Sequence, residues 1–130
     1  MIYKIALADD WSQAMRRGAF AGSAKDKEDG FIHFSAAHQL IETLKLHYSD
    51  VACALALVAV EPDALGDALK WEPSRKGDLF PHLYGPLPTE TARATLIAFY
   101  QSLADDNFAA VRHFIGGRGP LNLASKRGEA

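Results

Sequence analysis

The sequence predicts a single α+β domain: a twisted mixed β-sheet with two or three helices. Three observations carry this. The chain has 130 residues of which 48% are hydrophobic, enough for one core that buries roughly two-thirds of the unfolded surface. Residues 51–60 (VACALALVAV) are apolar on both faces, as a central strand is. Before and after that run, extended and helical apolar spacings follow one another, separated by Gly, Pro and Asp.

Residues 2–7, with Ile2, Tyr3, Ile5 and Leu7, suit a first strand ended by Asp9 and Asp10. Those aspartates offer N-caps to a helix carrying Trp11, Ala14, Met15 and Ala19 at helical spacing and stopping near Gly18 or Gly22. Residues 22–30 (GSAKDKEDG) read as a solvated surface loop. Residues 31–34 (FIHF) form a second strand, and Ser35 is placed to cap a helix whose Leu40, Leu44 and Tyr48 share one stripe. Residues 51–60 also fit a buried helix, but the length of ten and the Pro62 stop favour a strand. Pro62 opens a helical turn to about Asp67, residues 69–72 are extended again, and residues 73–78 form an exposed turn.

Residues 79–88 (LFPHLYGPLP) carry three prolines, each lacking a ladder donor, so they read as a rigid edge or loop held by Phe80, Leu83 and Tyr84. Residues 92–100 fit both a helix, through Ala92, Leu96 and Leu103, and a strand, through Thr95, Ile97 and Phe99; the strand, at 93–100, is the reading adopted. The domain spans residues 1–103. Residues 104–130 form a C-terminal extension, helical around Phe108, Val111 and Phe114 and then frayed through a Gly- and Arg-rich tail.

Fourteen Lys and Arg against sixteen Asp and Glu give a formal charge of -2, which supplies no positive field for nucleic acid or anionic lipid. Cys53 is the single cysteine, lies in the most apolar run, and is expected to be an inert buried thiol. The N-terminus lacks the order of regions in a signal peptide, and the ten-residue apolar run is about half a membrane span. A soluble, cytoplasmic protein is the expectation.

His33 sits in an apolar strand pattern that feeds a helix start, where free backbone N–H groups attract phosphates and carboxylates. His33 with the amides after Ser35 is therefore a candidate anion or ribose-phosphate site; equally, His33 could bond only to backbone, with Ser35 a simple cap. His82 lies between Pro81 and Gly85-Pro86 on a stiff segment and is a candidate acid–base group, or else an exposed loop histidine. Trp71, Glu72, Ser74 and Arg75 crowd one turn. Trp71 could stack on a base or nicotinamide ring and Arg75 clamp a phosphate, although a core Trp71 and a solvated Arg75 explain the same residues. The His33 and His38 spacing matches no metal ligand set, and no metal is expected.

The motifs Gly30-Phe31-Ile32-His33-Phe34-Ser35 and Phe80-Pro81-His82-Leu83-Tyr84-Gly85-Pro86-Leu87 resemble DUF952, a bacterial family of unknown function, over roughly residues 2–100. That family is similar in fold to the ADP-ribosyltransferases, whose split mixed sheets hold NAD in a cleft. The resemblance implies that His33 matches their ribose-binding strand histidine, that the Ser35 region receives the nicotinamide side, and that His82 or Tyr84 lines the opposite wall. A late-strand glutamate of those transferases has no counterpart, since after Glu90 only Glu129 remains. The resemblance then implies either the RNA 2′-phosphotransferase branch, which lacks that glutamate, or a cleft without the chemistry.

Two functional classes follow. The first is an enzyme or former enzyme taking NAD or a nucleotide-like, phosphate-bearing ligand, with His33 and His82 catalytic and Ser35, Trp71, Arg75 and Tyr84 binding. The second is a non-catalytic ligand-sensing or protein-interaction module that uses residues 80–88 as a recognition edge, through Tyr84 or Leu87, or as a homodimer interface.

Overall fold

The computed structural model describes residues 1–98, 100–103 and 108–116. Its elements in chain order are β1 (Ile2–Leu7), α1 (Ala8–Arg17), β2 (Ala19–Phe20), α2 (Ala24–Asp29), β3 (Ile32–His33), β4 (Ser35–Ala36), α3 (Ala37–His47), β5 (Leu55–Val60), β6 (Leu69–Pro73), β7 (Leu79–Leu83), β8 (Leu87–Pro88), β9 (Ala92–Ile97) and α4 (Ala109–Ile115). Short 3₁₀ turns fill several connections, including Pro62–Ala68 and Arg75–Gly77. The strands form a four-stranded sheet in the order β4-β1-β5-β9, a three-stranded sheet β3-β7-β6, and the pair β2-β8.

All pairings among the described residues are antiparallel, so the expected mixed sheet is corrected to three antiparallel ones. The reason lies in the crossover. Helix α3 joins β4 to β5, which run the same way, but β1 lies between them, so no parallel pair results. The expected two or three helices become four among the described residues, because α2 occupies the stretch expected to be a loop and α4 packs from the C-terminal side.

Strand β5 is buried along its whole length. Ala56, Val58 and Val60 enter one core with Trp11 and Ala14 of α1 and with Phe20, Leu83 and Leu87, while Leu55, Leu57 and Ala59 enter a second with Leu40 and Leu44 of α3 and Val111 and Phe114 of α4. The period of two thus feeds two cores from one strand. Residues 51–54 were expected to continue it. Leu7 and Ile97 both pair with Leu55, so partners run out on each side there, and Cys53 is exposed rather than buried.

Residues 79–83 correct a second expectation: β7 is the central strand of its sheet, not an edge. Pro81 is accommodated where β3 ends. Phe34 N–H donates to the Pro81 carbonyl at 2.9 Å, but proline has no N–H to return, so the ladder stops and the chain leaves for β4 against β1. Leu87, expected on a recognition edge, is fully buried, which leaves only Tyr84, Gly85 and Pro86 of that stretch, with Pro88, on the surface.

Capping also differs from expectation. Asp9 and Asp10 lie inside the first turn of α1, where their charge suits the helix dipole, and Leu7 holds the cap position. Ser35 lies in β4, and α3 starts after Ala36, whose N–H is accepted by Gln39 Oε1 at 2.8 Å. Gly18 ends α1 in the left-handed region at φ 89°, as the sequence implies. The expected strand over 93–100 is observed as β9 but is shorter, ending at Ile97, with Tyr100 opening a 3₁₀ turn; Phe99 lies outside the described residues, as does the tail from residue 117 onward. Among the described residues no helix is long and apolar enough to cross a membrane.

Candidate functional site

Strand β4 covers only Ile2 and Tyr3 of β1. Beyond them the edge of β1 borders a cleft of about 390 Å³, closed on the other sides by β3, β7, α3 and the turn after β6, a size suited to a small-molecule ligand. His33, Ser35, Arg75 and His82 all line it, together with Lys4 and Asp26.

His33 and His82 face each other as a cross-strand pair of β3 and β7, their ring centroids 5.7 Å apart. Phe31 backs both, stacked on His82 at 4.0 Å and tilted against His33 at 4.6 Å. The pairing register fixes this geometry.

Their hydrogen bonds differ in a chemically decisive way. His82 Nδ1 lies 2.7 Å from Glu72 Oε1, and Tyr84 donates its hydroxyl to the same oxygen at 2.8 Å. The His82 contact, followed by that of Tyr84, holds the Glu72 carboxyl below the usual range, so Glu72 is an ionised acceptor and Nδ1 carries the proton. In the neutral ring Nε2 then presents a lone pair. No described residue hydrogen-bonds that Nε2, although His82 is only 5% exposed.

His33 is bound at both nitrogens. Nδ1 lies 2.6 Å from Asp26 Oδ1 and Nε2 lies 2.9 Å from Asp29 Oδ2. Ionised carboxylates only accept, so both contacts are hydrogen bonds only in the doubly protonated imidazolium.

Asp26 is the anchor of this corner. At 2% exposed it meets Lys4 Nζ, itself 4% exposed, at 2.8 Å, and accepts the backbone N–H of Ser23 and of His33. Burial, the largest influence, would push its carboxyl up, but His33, Lys4 and the Ser23 N–H together hold it well below the usual carboxylate range. Lys4 is moved down because burial of the ammonium outweighs what Asp26 returns. Tyr48, which donates to the Ile5 carbonyl at the rim, is pushed up to about 12 by burial and by the Asp26 charge.

Arg75 supplies the cation on the far side. Its guanidinium lies over the Phe80 ring at 4.9 Å and donates to Thr43 Oγ1 at 3.2 Å. Thr43 gives its own proton to the Gln39 carbonyl, so in the 3.1 Å contact between the two hydroxyls Ser35 is the donor. Ser35 therefore offers a ligand lone pairs, which suit an amide N–H better than an anion. The turn presenting Arg75 holds Lys76 at φ 57°, a left-handed conformation that costs a residue with a Cβ about 1 kcal/mol.

A model of the family described as "Protein of unknown function (DUF952)" matches residues 5–95. The chain belongs to the DUF952 family. The crystal structure of protein CC0527 from Caulobacter crescentus, a structural genomics target, is similar at 47% identity and a TM-score of 0.66, covering 72% of this chain and 82% of that one. The solution NMR structure of the same Caulobacter protein is 45% identical, with a TM-score of 0.62, over 75% and 82% of the two chains. No curated protein matches.

In this DUF952 chain the sequence-derived candidates divide. His33, His82, Ser35 and Arg75 converge on one cleft. Trp71 and Tyr84 do not line it: both are close to half exposed, Trp71 opposite Pro81 on β6, Tyr84 bonded to Glu72. Asp26 and Lys4 were missed as site residues. Their signals were a Ser23-x-x-Asp26 capping box inside a supposed loop and a lysine in an otherwise apolar strand face. Among the described residues no group of three or more His, Cys, Asp or Glu side chains is arranged to hold a metal ion.

Proposed function

We propose that the cleft binds a nucleotide-like, phosphate-bearing ligand, NAD and ADP-ribose being the candidates, and supports transferase-type chemistry with His82 as its acid–base group. The observation that carries the reading is the convergence of His33 and His82, from opposite positions of one strand pair, with Arg75 on a single cleft. Lys4 and His33 are each matched by carboxylates at 2.9 Å or less, whereas Arg75, among the described residues, meets Glu42 at 3.9 Å and the Thr43 hydroxyl, which leaves its guanidinium able to take an incoming anion. His33 then meets the ribose edge and Ser35 an amide. This placement follows the resemblance to ADP-ribosyltransferases drawn from the sequence motifs. No carboxylate lies on β9, so a transferase reaction here would run without a late-strand glutamate.

Calorimetric titration tests the reading. Wild-type protein should bind ADP-ribose saturably, and Arg75→Ala should weaken that binding by about tenfold or more, the loss of a charge-assisted hydrogen bond of about 1.5 kcal/mol or greater. Equal affinity in the two proteins would count against it.

A further inference from the structure

We infer that the two histidines form an acid–base pair for cleaving a phosphodiester. The inference rests on the ligand reading above and adds the bond that is broken.

General acid–base catalysis of such a displacement needs a base for the incoming hydroxyl and an acid for the leaving oxygen, each within hydrogen-bond reach. The histidines fit the two roles because their partners differ. His82 is oriented by Glu72 and Tyr84 with the proton on Nδ1, so Nε2 is the base. His33 is assigned the acid role because carboxylates of Asp26 and Asp29 contact both of its ring nitrogens, so both contacts are hydrogen bonds when each nitrogen carries a proton. Of its two contacts, the Asp26 bond is partly buried and the Asp29 bond exposed, so Nε2 is the nitrogen that can exchange Asp29 for a substrate oxygen. The ring centroids stand 5.7 Å apart and the two side chains project from the same face of the strand pair, so one phosphoryl group set on the cleft side of the pair can meet both rings. Arg75 faces the non-bridging oxygens from a third side of the same cleft.

His82 Nε2 takes a proton from a water molecule as its oxygen bonds to phosphorus. The bond from phosphorus to the leaving oxygen breaks with its electron pair, and His33 Nε2 gives that oxygen a proton. The product is a phosphomonoester and an alcohol; His82 then gives its proton to solvent and His33 takes one from solvent, which restores both rings.

Two probes separate the roles. A nucleoside 2′,3′-cyclic phosphate has an alkoxide leaving group that needs a proton, whereas bis(para-nitrophenyl) phosphate releases a stabilised phenolate that does not. Wild-type protein should hydrolyse both, with a bell-shaped pH profile on the cyclic probe. His82→Asn should lose on the order of 100-fold or more on both. His33→Gln should lose a similar factor on the cyclic probe but less than about tenfold on the aryl ester, with the acid-requiring limb of the profile gone. Glu72→Gln removes no group from the cleft and should lower turnover of both probes while shifting the base limb, which guards against misreading a poorly folded histidine variant. Equal losses on both probes in His33→Gln would overturn the acid role. ADP-ribose binding without turnover of either probe would overturn the cleavage chemistry and leave the ligand reading standing; neither binding nor turnover would overturn both.

Discussion

Replacing Asp26 by asparagine should lower stability by about 3–5 kcal/mol, the range for breaking a buried ion pair from one side. For a domain of this size that is roughly 10–20 °C in melting temperature. Asparagine keeps the shape of the side chain but leaves the Lys4 ammonium, 4% exposed, without its countercharge. It also weakens the anchors of Ser23 and His33, which draw β3 against α2. The effect has a definite pH dependence. Because the Asp26 carboxyl is held below its unfolded value, its contribution is fully present above about pH 4 and is lost as pH falls through the folded value. The gap between wild type and Asp26→Asn should therefore narrow on acidification. At alkaline pH the variant should recover part of its loss, since the Lys4 value is already lowered by burial and a neutral amine needs no partner. Thermal melts of both proteins from acid to alkaline pH check this, and a gap that widens in acid would reverse the assignment.

The second large effect is expected at Leu87. Leu87→Ala should cost about 2–5 kcal/mol, because Leu87 is fully buried opposite Phe20 in the core that holds Trp11, and its truncation leaves a cavity that the two-residue strand β8, paired with β2, has little means of closing. Chemical denaturation measures it. The same stretch read as a recognition edge would predict an undisturbed fold and a lost partner. Tyr84 is the residue of that stretch on which a surface role can still be tested, since it is exposed, but its hydroxyl is already committed to Glu72.

What could be read from the sequence follows from which forces are local. The apolar run through β5, the Gly18 stop and the strand carrying Thr95 and Ile97 were legible because burial on a regular period writes itself along the chain. The end of β5 at Leu55 was not, because it is set by the lengths of β1 and β9. Pro81 misled for a related reason. A proline excludes one ladder bond, and only the tertiary arrangement shows that the missing bond falls where β3 gives way to β4. In the site, His33, His82, Ser35 and Arg75 were picked out by residue type and setting, and the cleft unites them. The carboxylates that contact His33 at both ring nitrogens were harder to see, since Asp26 and Asp29 lie in a charged stretch that looks like ordinary solvated surface. A buried ion pair between residues 22 positions apart leaves no periodic trace.

On the proposed function, the cleft lined by His33 and His82 receives a phosphate-bearing ligand. Imidazole ¹⁵N NMR on the wild-type protein during titration with ADP-ribose tests it most directly. The expected result is a free-state His82 ring with a proton on Nδ1, His33 signals at both ring nitrogens that report their carboxylate contacts, and a saturable shift at His82 Nε2 that Arg75→Ala removes. A His82 ring protonated at Nε2, or ligand-induced shifts confined to the outer face around Trp71 and Tyr84, would contradict it.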